Sequence, residues 1–401
     1  MRQLTNSVNP REAAYQALLL AHRNEAFIQE SLTSWANSCH PSQNDIYLAQ
    51  EISYGTMRMQ LALDHQAAHL AEPNPLRLKA KEKILLRMSL YQYYYMDRIP
   101  LYAIVNESVS LAKTHCHETF TRFLNMLLRK MEKIPLQLPQ GATPRELSIR
   151  FSYPLYIVEQ FCKQFGLEQA TALLETSNLP AQVMARQRKP INGEFTFIKP
   201  KAAELKTIAA SAEYYIQNAT PAVLISKAFA QLQSYPKKVL DLCAAPGGKS
   251  ATIYDLDPNI SLTVNDVSET KLARIRENFT RLGIPAQYSL ARGEQFSSQE
   301  RYDLIIIDAP CSNSGVLNKR PEARWRLSPV YLQELQALQL ALINNAKTLL
   351  APNGKLWYMT CSILEQENRH IASSAGNISY EQTIYPCADG SDGGYLAILE
   401  L

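Results

Sequence analysis

Residues 239–250 read VLDLCAAPGGKS. Val239, Leu240 and Leu242 form a short apolar run of the kind buried inside a parallel sheet, and it passes without a spacer into small residues and a glycine pair that open a helix. Small side chains let backbone approach a ligand closely, and a helix start offers unpaired amides. In an open α/β sheet a nucleotide-like ligand sits at the carboxyl end of the first strand. The stretch therefore predicts an α/β domain whose ligand turn comprises Cys243, Ala244, Ala245, Pro246, Gly247, Gly248 and Lys249.

The turn is not a phosphate loop, because Cys243 stands where GxxxxGK[ST] needs its first glycine, and no GxGxxG is present. Asp266 ends the next apolar run, SLTVNDV, where a carboxylate can accept hydrogen bonds from ribose hydroxyls. Few glycines with a ribose-binding acid suit S-adenosylmethionine, which has no phosphate to cradle. A purely structural strand–helix turn is the alternative.

Outward from this stretch, AQYSLA (286–291), YDLIIIDAP (302–310) and KLWYMTCS (355–362) continue the strand series, with helix-like patterns over 268–281 and 331–349 between them. This alternation predicts a doubly wound, mostly parallel sheet over 235–401, with GGYLAILEL at the tail as an antiparallel edge strand. Cys311 and Cys361 each follow a predicted strand, so both thiols are expected at the ligand edge. Cysteine elsewhere is usually a small buried hydrophobe, but two at strand ends beside one ligand turn point to chemistry. Thiolate addition to carbon 6 of a pyrimidine makes carbon 5 nucleophilic, a second thiolate can remove the carbon 5 proton, and a carboxyl such as Asp308 can stabilise the adduct.

Towards the N-terminus the periodicity is helical from Pro10 to about Met131, with Ala14, Leu18 and Ala21 on one face and Phe120, Phe123, Leu124, Leu127 and Leu128 on a later one. This gives an all-α domain over 1–135. The stretch 134–144, IPLQLPQGATP, interrupts it, so 136–144 reads as a linker. Helices around 157–165 and 168–175, followed by shorter mixed elements, give a small α+β subdomain over 145–234.

The 401 residues carry a formal charge of +4, which permits a polyanionic partner without demanding one. Seven cysteines with no CxxC pair argue for reduced thiols rather than a disulfide framework. Met1 to Tyr15 lacks a signal-peptide pattern, and no run is long enough to span a bilayer, so the expectation is a soluble, cytoplasmic monomer without a membrane partner. His65 and His69 have i, i+4 spacing, but Gln66 takes the position where a zinc protease carries its glutamate, and no metal is assigned. Lys319, Arg320, Arg324 and Trp325, just after the Cys311 loop, offer phosphate contacts and a stacking surface for RNA.

At these residues the chain resembles the bacterial 16S ribosomal RNA cytosine-5 methyltransferases of the Sun/Fmu type. DLCAAPGGK is similar to that family's cofactor loop, DAPCS (308–312) to its fourth motif and TCS (360–362) to its sixth. ISYGTMR (52–58), LRMSLYQ (86–92), IPLYAIVNESVSLAK (99–113) and FLNMLLR (123–129) resemble its NusB-like RNA-binding domain, and YYIQNATPAVL (214–224) another of its motifs, with Gln217 in place. The resemblance implies a Rossmann-like methyltransferase domain using S-adenosylmethionine on small-subunit RNA, with cytosine 967 as target. It also implies Cys361 as nucleophile, Cys311 assisting proton removal and release, and Asp308 beside cofactor and cytosine. The chain departs from the pattern at Leu290–Glu294, where a glycine-aspartate is usual, at Met184–Arg186, and at Gly394, where an aromatic is common. Altered affinity rather than lost activity is the expected effect. A transfer RNA or other ribosomal target, and a silent RNA-binding or antitermination factor, are the rival readings.

Overall fold

Residues 7–400 are described by a computed structural model, so part of the polar opening run lies outside the described residues. Contacts divide the chain into two units that meet in sequence at Leu174/Glu175.

The first unit is helical: α1 (Pro10–His22), α2 (Ile28–Cys39), α3 (Gln43–Arg58), α4 (Gln60–Ala71), α5 (Ala80–Tyr94), α6 (Leu101–His115), α7 (Glu118–Lys130), α8 (Pro144–Phe151) and most of α9 (Leu155–Thr176). Sequence signals set their ends. Asn9 caps α1 by accepting from Arg11 and Glu12 N–H, with Pro10 in the first turn, and Thr143 and Glu146 form a capping box on α8. On α7, Phe120, Leu124, Leu127 and Leu128 are buried, as their spacing predicts, while Phe123 is half-buried. Gly166, at φ 77°, breaks α9 where the two sequence periodicities part. Gln66 is a fully buried strut: its side chain donates to Pro135 O (3.1 Å) and accepts from Gln137 N–H (2.9 Å). That pair pins the start of the extended segment 134–143. The unit boundary falls about thirty residues beyond 145, because α8 is tied to α4 through Ser152 Oγ accepting from Leu61 N–H.

In the second unit a three-stranded antiparallel sheet of β1 (Ala185–Gln187), β2 (Phe197–Ile198) and β3 (Tyr214–Ile216) runs in the order β2-β1-β3, with α10 (Leu205–Ala210) before β3. Arg186, in the departure at 184–186, is buried on β1, and with Arg188 it grips Asp255 at 2.7 Å, its guanidinium lying over Phe195. There follow α11 (Ala219–Phe229), β4 (Lys238–Asp241), α12 (Gly248–Leu256), β5 (Ser261–Asp266), α13 (Glu269–Leu282) and β6 (Gln287–Leu290). Next come β7 (Tyr302–Asp308), α14 (Pro329–Leu349), β8 (Leu350–Thr360), α15 (Arg369–Ala375), β9 (Asn377–Ile384) and β10 (Gly394–Glu400).

The large sheet has the order β6-β5-β4-β7-β8-β10-β9, parallel from β6 to β8, with β10 antiparallel to both neighbours. Strand β7 shows why its sequence is uninterruptedly apolar: Leu304 and Ile306 join the core under α11, α12 and α13, and Ile305 and Ile307 join the core under α14. The strand order turns back between β4 and β7, which puts a crevice at their carboxyl ends. The tail strand differs from its expected place. β10 lies inside the sheet and β9 is the edge; Gly394–Leu399 is buried throughout, and a strand covered on both faces belongs in the interior. Among the described residues no helix is long and apolar enough to cross a membrane.

Candidate active site

One wall of the crevice is made of backbone. After β4 the chain turns through Ala245-Pro246 and enters α12, whose first residue follows Gly247 at φ 98°, a conformation that excludes side chains. A Cβ on Gly248 would lie 2.9 Å from Gln217 Oε1 and 3.1 Å from the Tyr215 ring, so the turn keeps its surface by having none. No side chain caps α12, which leaves its first amides to the crevice. Asp266 holds the turn from β5: its two oxygens accept from Ala245 N–H (3.2 Å) and Ser268 N–H (3.1 Å), each keeping a lone pair. Asn265 Nδ2 ties three strand ends by donating to Leu242 O and Ala291 O. Nothing in its residue type announced that role.

The charge here is negative. Asp241, Asp308, Asp266 and Glu294 all act on Cys243, and burial followed by their charges pushes its thiol well up. Asp241 is fully buried, with one oxygen accepting from Ser250 Oγ and the other unpartnered; burial pushes its carboxyl up to about 7. Glu294, in the departure at 290–294, is fixed by Arg292 at 2.6 Å beside the Gly293 turn, which packs on Cys243. The cradle thus offers helix amides with no side-chain cap, an acid at the β5 end, an orphaned buried Gln217 Oε1 and surrounding carboxylates. That set fits a cationic nucleoside better than a phosphate ester.

The other wall carries the thiols. Cys311 Sγ and Cys361 Sγ lie 3.1 Å apart, Cys311 buried and Cys361 partly open, with Asn313 Oδ1 3.4 Å from Cys361 Sγ. The hydrogen bond to Cys361, burial, and the charges of Cys361 and Glu367 raise the Cys311 thiol well above its ordinary range. That hydrogen bond and burial therefore keep the proton on Cys311 in the resting pair. Lys249 joins the two walls: its ammonium pairs with Asp308 at the end of β7. Burial alone would lower it, but Asp308, Cys361 and Asp241 together raise it, keeping a cation beside the sulfurs. The spacing of the motifs leaves that ion pair unread; so too Asn313, legible only as one polar residue in DAPCSNS.

Of the four expected RNA contacts, Arg324 needs correction. It is fully buried and donates to Asn178 Oδ1 (3.0 Å) and Leu317 O (3.3 Å), an interior strut that shapes the loop and is closed to phosphate. Lys319 is held by Asp392 at 2.6 Å, Trp325 is half-buried, and Arg320 is exposed. A Cβ on Gly394 would already stand 3.1 Å from Thr220 Cγ2, so an aromatic there needs a rearranged α11.

Comparison with known proteins gives this crevice its setting. Residues 231–378 match the family described as 16S rRNA methyltransferase RsmB/F, and residues 8–133 match the NusB family. The chain is 30% identical over 390 residues to the probable ribosomal RNA small subunit methyltransferase B of Bacillus subtilis, covering 90% of this chain and 86% of that one. It is also 30% identical over 384 residues to ribosomal RNA small subunit methyltransferase B of Vibrio cholerae, covering 89% and 86%. In fold it is similar to the crystal structure of PH0851, at 20% identity, with a TM-score of 0.75 over 100% of both chains. A helical NusB domain, a methyltransferase sheet and likeness along most of both relatives leave one assignment: the chain belongs to the ribosomal RNA small subunit methyltransferase B family, and is an RNA methyltransferase.

Proposed function

We propose that this chain methylates carbon 5 of a cytosine in small-subunit ribosomal RNA with S-adenosylmethionine as donor, and that the target is the one its resemblance implies, cytosine 967 of the 16S RNA. The observation that carries the reading is the pair of sulfurs 3.1 Å apart at the sheet edge, joined through Lys249 and Asp308 to the glycine turn. A stacked base is closed to such a pocket, so the cytosine is extruded to reach it.

S-adenosylmethionine supplies an electrophilic methyl group on a cationic sulfur. The residues that would hold it are the 243–249 turn, Asp266 and Asp308, and the carboxylates there suit its charge. Cys361 Sγ adds to carbon 6 of the cytosine, forming a carbon–sulfur bond and moving the ring electrons onto carbon 5. Asp308, still paired with Lys249, stands on the cytosine side as the hydrogen-bonding group for the ring. Once carbon 5 carries the methyl group, its remaining proton must leave before the carbon–sulfur bond can break. Capture of Cys361 removes the hydrogen bond that raises the Cys311 thiol most; Cys311 then releases its proton to solvent and, as the thiolate, accepts the carbon 5 proton. The electrons of the broken carbon 5–hydrogen bond then restore the ring double bond and expel Cys361.

The test is transfer of label from S-adenosylmethionine to naked small-subunit RNA, followed by bisulfite mapping of the product. Protection of a single cytosine at position 967 is the expected result. Label on another base, or on transfer RNA alone, would overturn the assignment.

A further inference from the structure

We propose that Glu367 is the positioning residue that holds the Cys311 and Cys361 loops together as one reacting pair. The catalytic role of the two thiols rests on the function proposed above; the bridging itself does not.

Glu367 is fully buried behind the sulfurs. Its Oε1 accepts from the Ser312 N–H (2.8 Å), in the residue after Cys311, and from Gln339 Nε2 of α14 (3.2 Å). Its Oε2 accepts from Ser362 Oγ (2.7 Å), in the residue after Cys361. One carboxylate therefore bridges the residues that follow both thiols, fifty positions apart in the chain. Gln339 also donates to Pro310 O (2.9 Å), the residue before Cys311, and Tyr358 OH donates to Glu367 O (2.6 Å). An ionised carboxylate only accepts, which sets the direction of the hydroxyl bonded to it. Ser362 gives its proton to Glu367, so in its short contact with Ser314 (2.8 Å) Ser314 is the donor and Ser362 Oγ accepts. Ser314 Oγ and Ser362 Oγ in turn accept from the Ile363 and Leu364 amides, both at 3.0 Å. A buried polar cluster of this kind favours one geometry, and its anchor is the carboxylate on which both loops converge.

Closure of the two thiols by diamide reads the spacing directly, without RNA or methyl donor. The thiols give up two electrons and two protons, the azo bond is reduced to the hydrazine, and a sulfur–sulfur bond forms. In the parent protein, Cys311–Cys361 closure, followed by mass mapping, is expected to be fast. In E367A we expect it to slow at least 30-fold and kcat to fall about 100-fold, with KM for RNA within threefold. E367Q, which keeps the bridge but reverses one polarity, should recover most of the closure rate and lose about 10-fold in kcat. S362A, which cuts only the tie to the Cys361 loop, should slow closure about 10-fold and serves if E367A does not fold. Parent-like closure in a folded E367A, or in both E367Q and S362A, would overturn the proposal. Slow closure in the variants of a protein that methylates no RNA would instead leave the bridging intact and overturn the function.

Discussion

The two walls of the crevice are built on opposite plans. The glycine turn is a backbone surface kept open by missing side chains: Gly247 at φ 98°, an uncapped α12 and few fixed partners. The thiol wall is a surface of side chains, each set by another buried side chain behind it. A backbone cradle is damaged by adding atoms and a side-chain wall by removing them.

The largest effect expected from breaking that contrast is at the thiols. Cys361→Ala should abolish turnover, by about 10³-fold or more, and form no protein–RNA adduct, whereas Cys311→Ala should trap a denaturant-stable adduct on gels. Normal turnover by the Cys311 variant would remove it from the reaction.

Adding one methyl group at the other wall should be milder. Gly247→Ala strains a left-handed turn and puts a Cβ 2.9 Å from Phe279, a cost of about 1–3 kcal/mol. Donor affinity by calorimetry should fall about tenfold while thiol closure keeps its rate, since Gly247 takes no part in the Glu367 ties that set the thiol spacing.

Asp241 gives a smaller, pH-dependent signature. A carboxyl that keeps its proton up to about 7 when folded, against an ordinary value of 3.8, stabilises the fold fully below that lower value and loses the contribution as pH rises to about 7. Asp241→Asn should flatten the fall in Tm across this window; an unchanged Tm–pH profile would mean the carboxylate is already ionised in the fold. The smallest effect is at Arg320: its alanine variant should weaken RNA binding evenly and lower the salt slope by about 1, and no change in slope would place it off the RNA.

Much of this was open to reading in the chain, for physical reasons. Strands buried on both faces are continuous apolar runs, and VLDLCA, YDLIIIDAP and KLWYMTCS say so without context. β9 escaped notice because NISYEQTI is half-exposed along its length and spells neither period clearly. β10 follows the rest of the series and so reads as an edge, but Gly394–Leu399 is as apolar as β7, and a strand covered on both faces lies inside. Arg324 reads as an RNA contact because a basic residue in a loop looks the same in sequence whether it meets phosphate or a carbonyl. The cysteines and Asp308 were legible because their chemistry is rare; Glu367, an ordinary acid in LEQEN, acquires meaning only when two distant loops close on it.

The interior place of β10 bears on synthesis. A growing chain exposes both sulfurs well before the ribosome releases Gly394, yet strand β8, which leads into Cys361, lacks its second neighbour until that moment. Domains organise as units during translation. A chain synthesised only as far as β9 should therefore lack a fixed Cys361 geometry, and gain it when β10 inserts between β8 and β9.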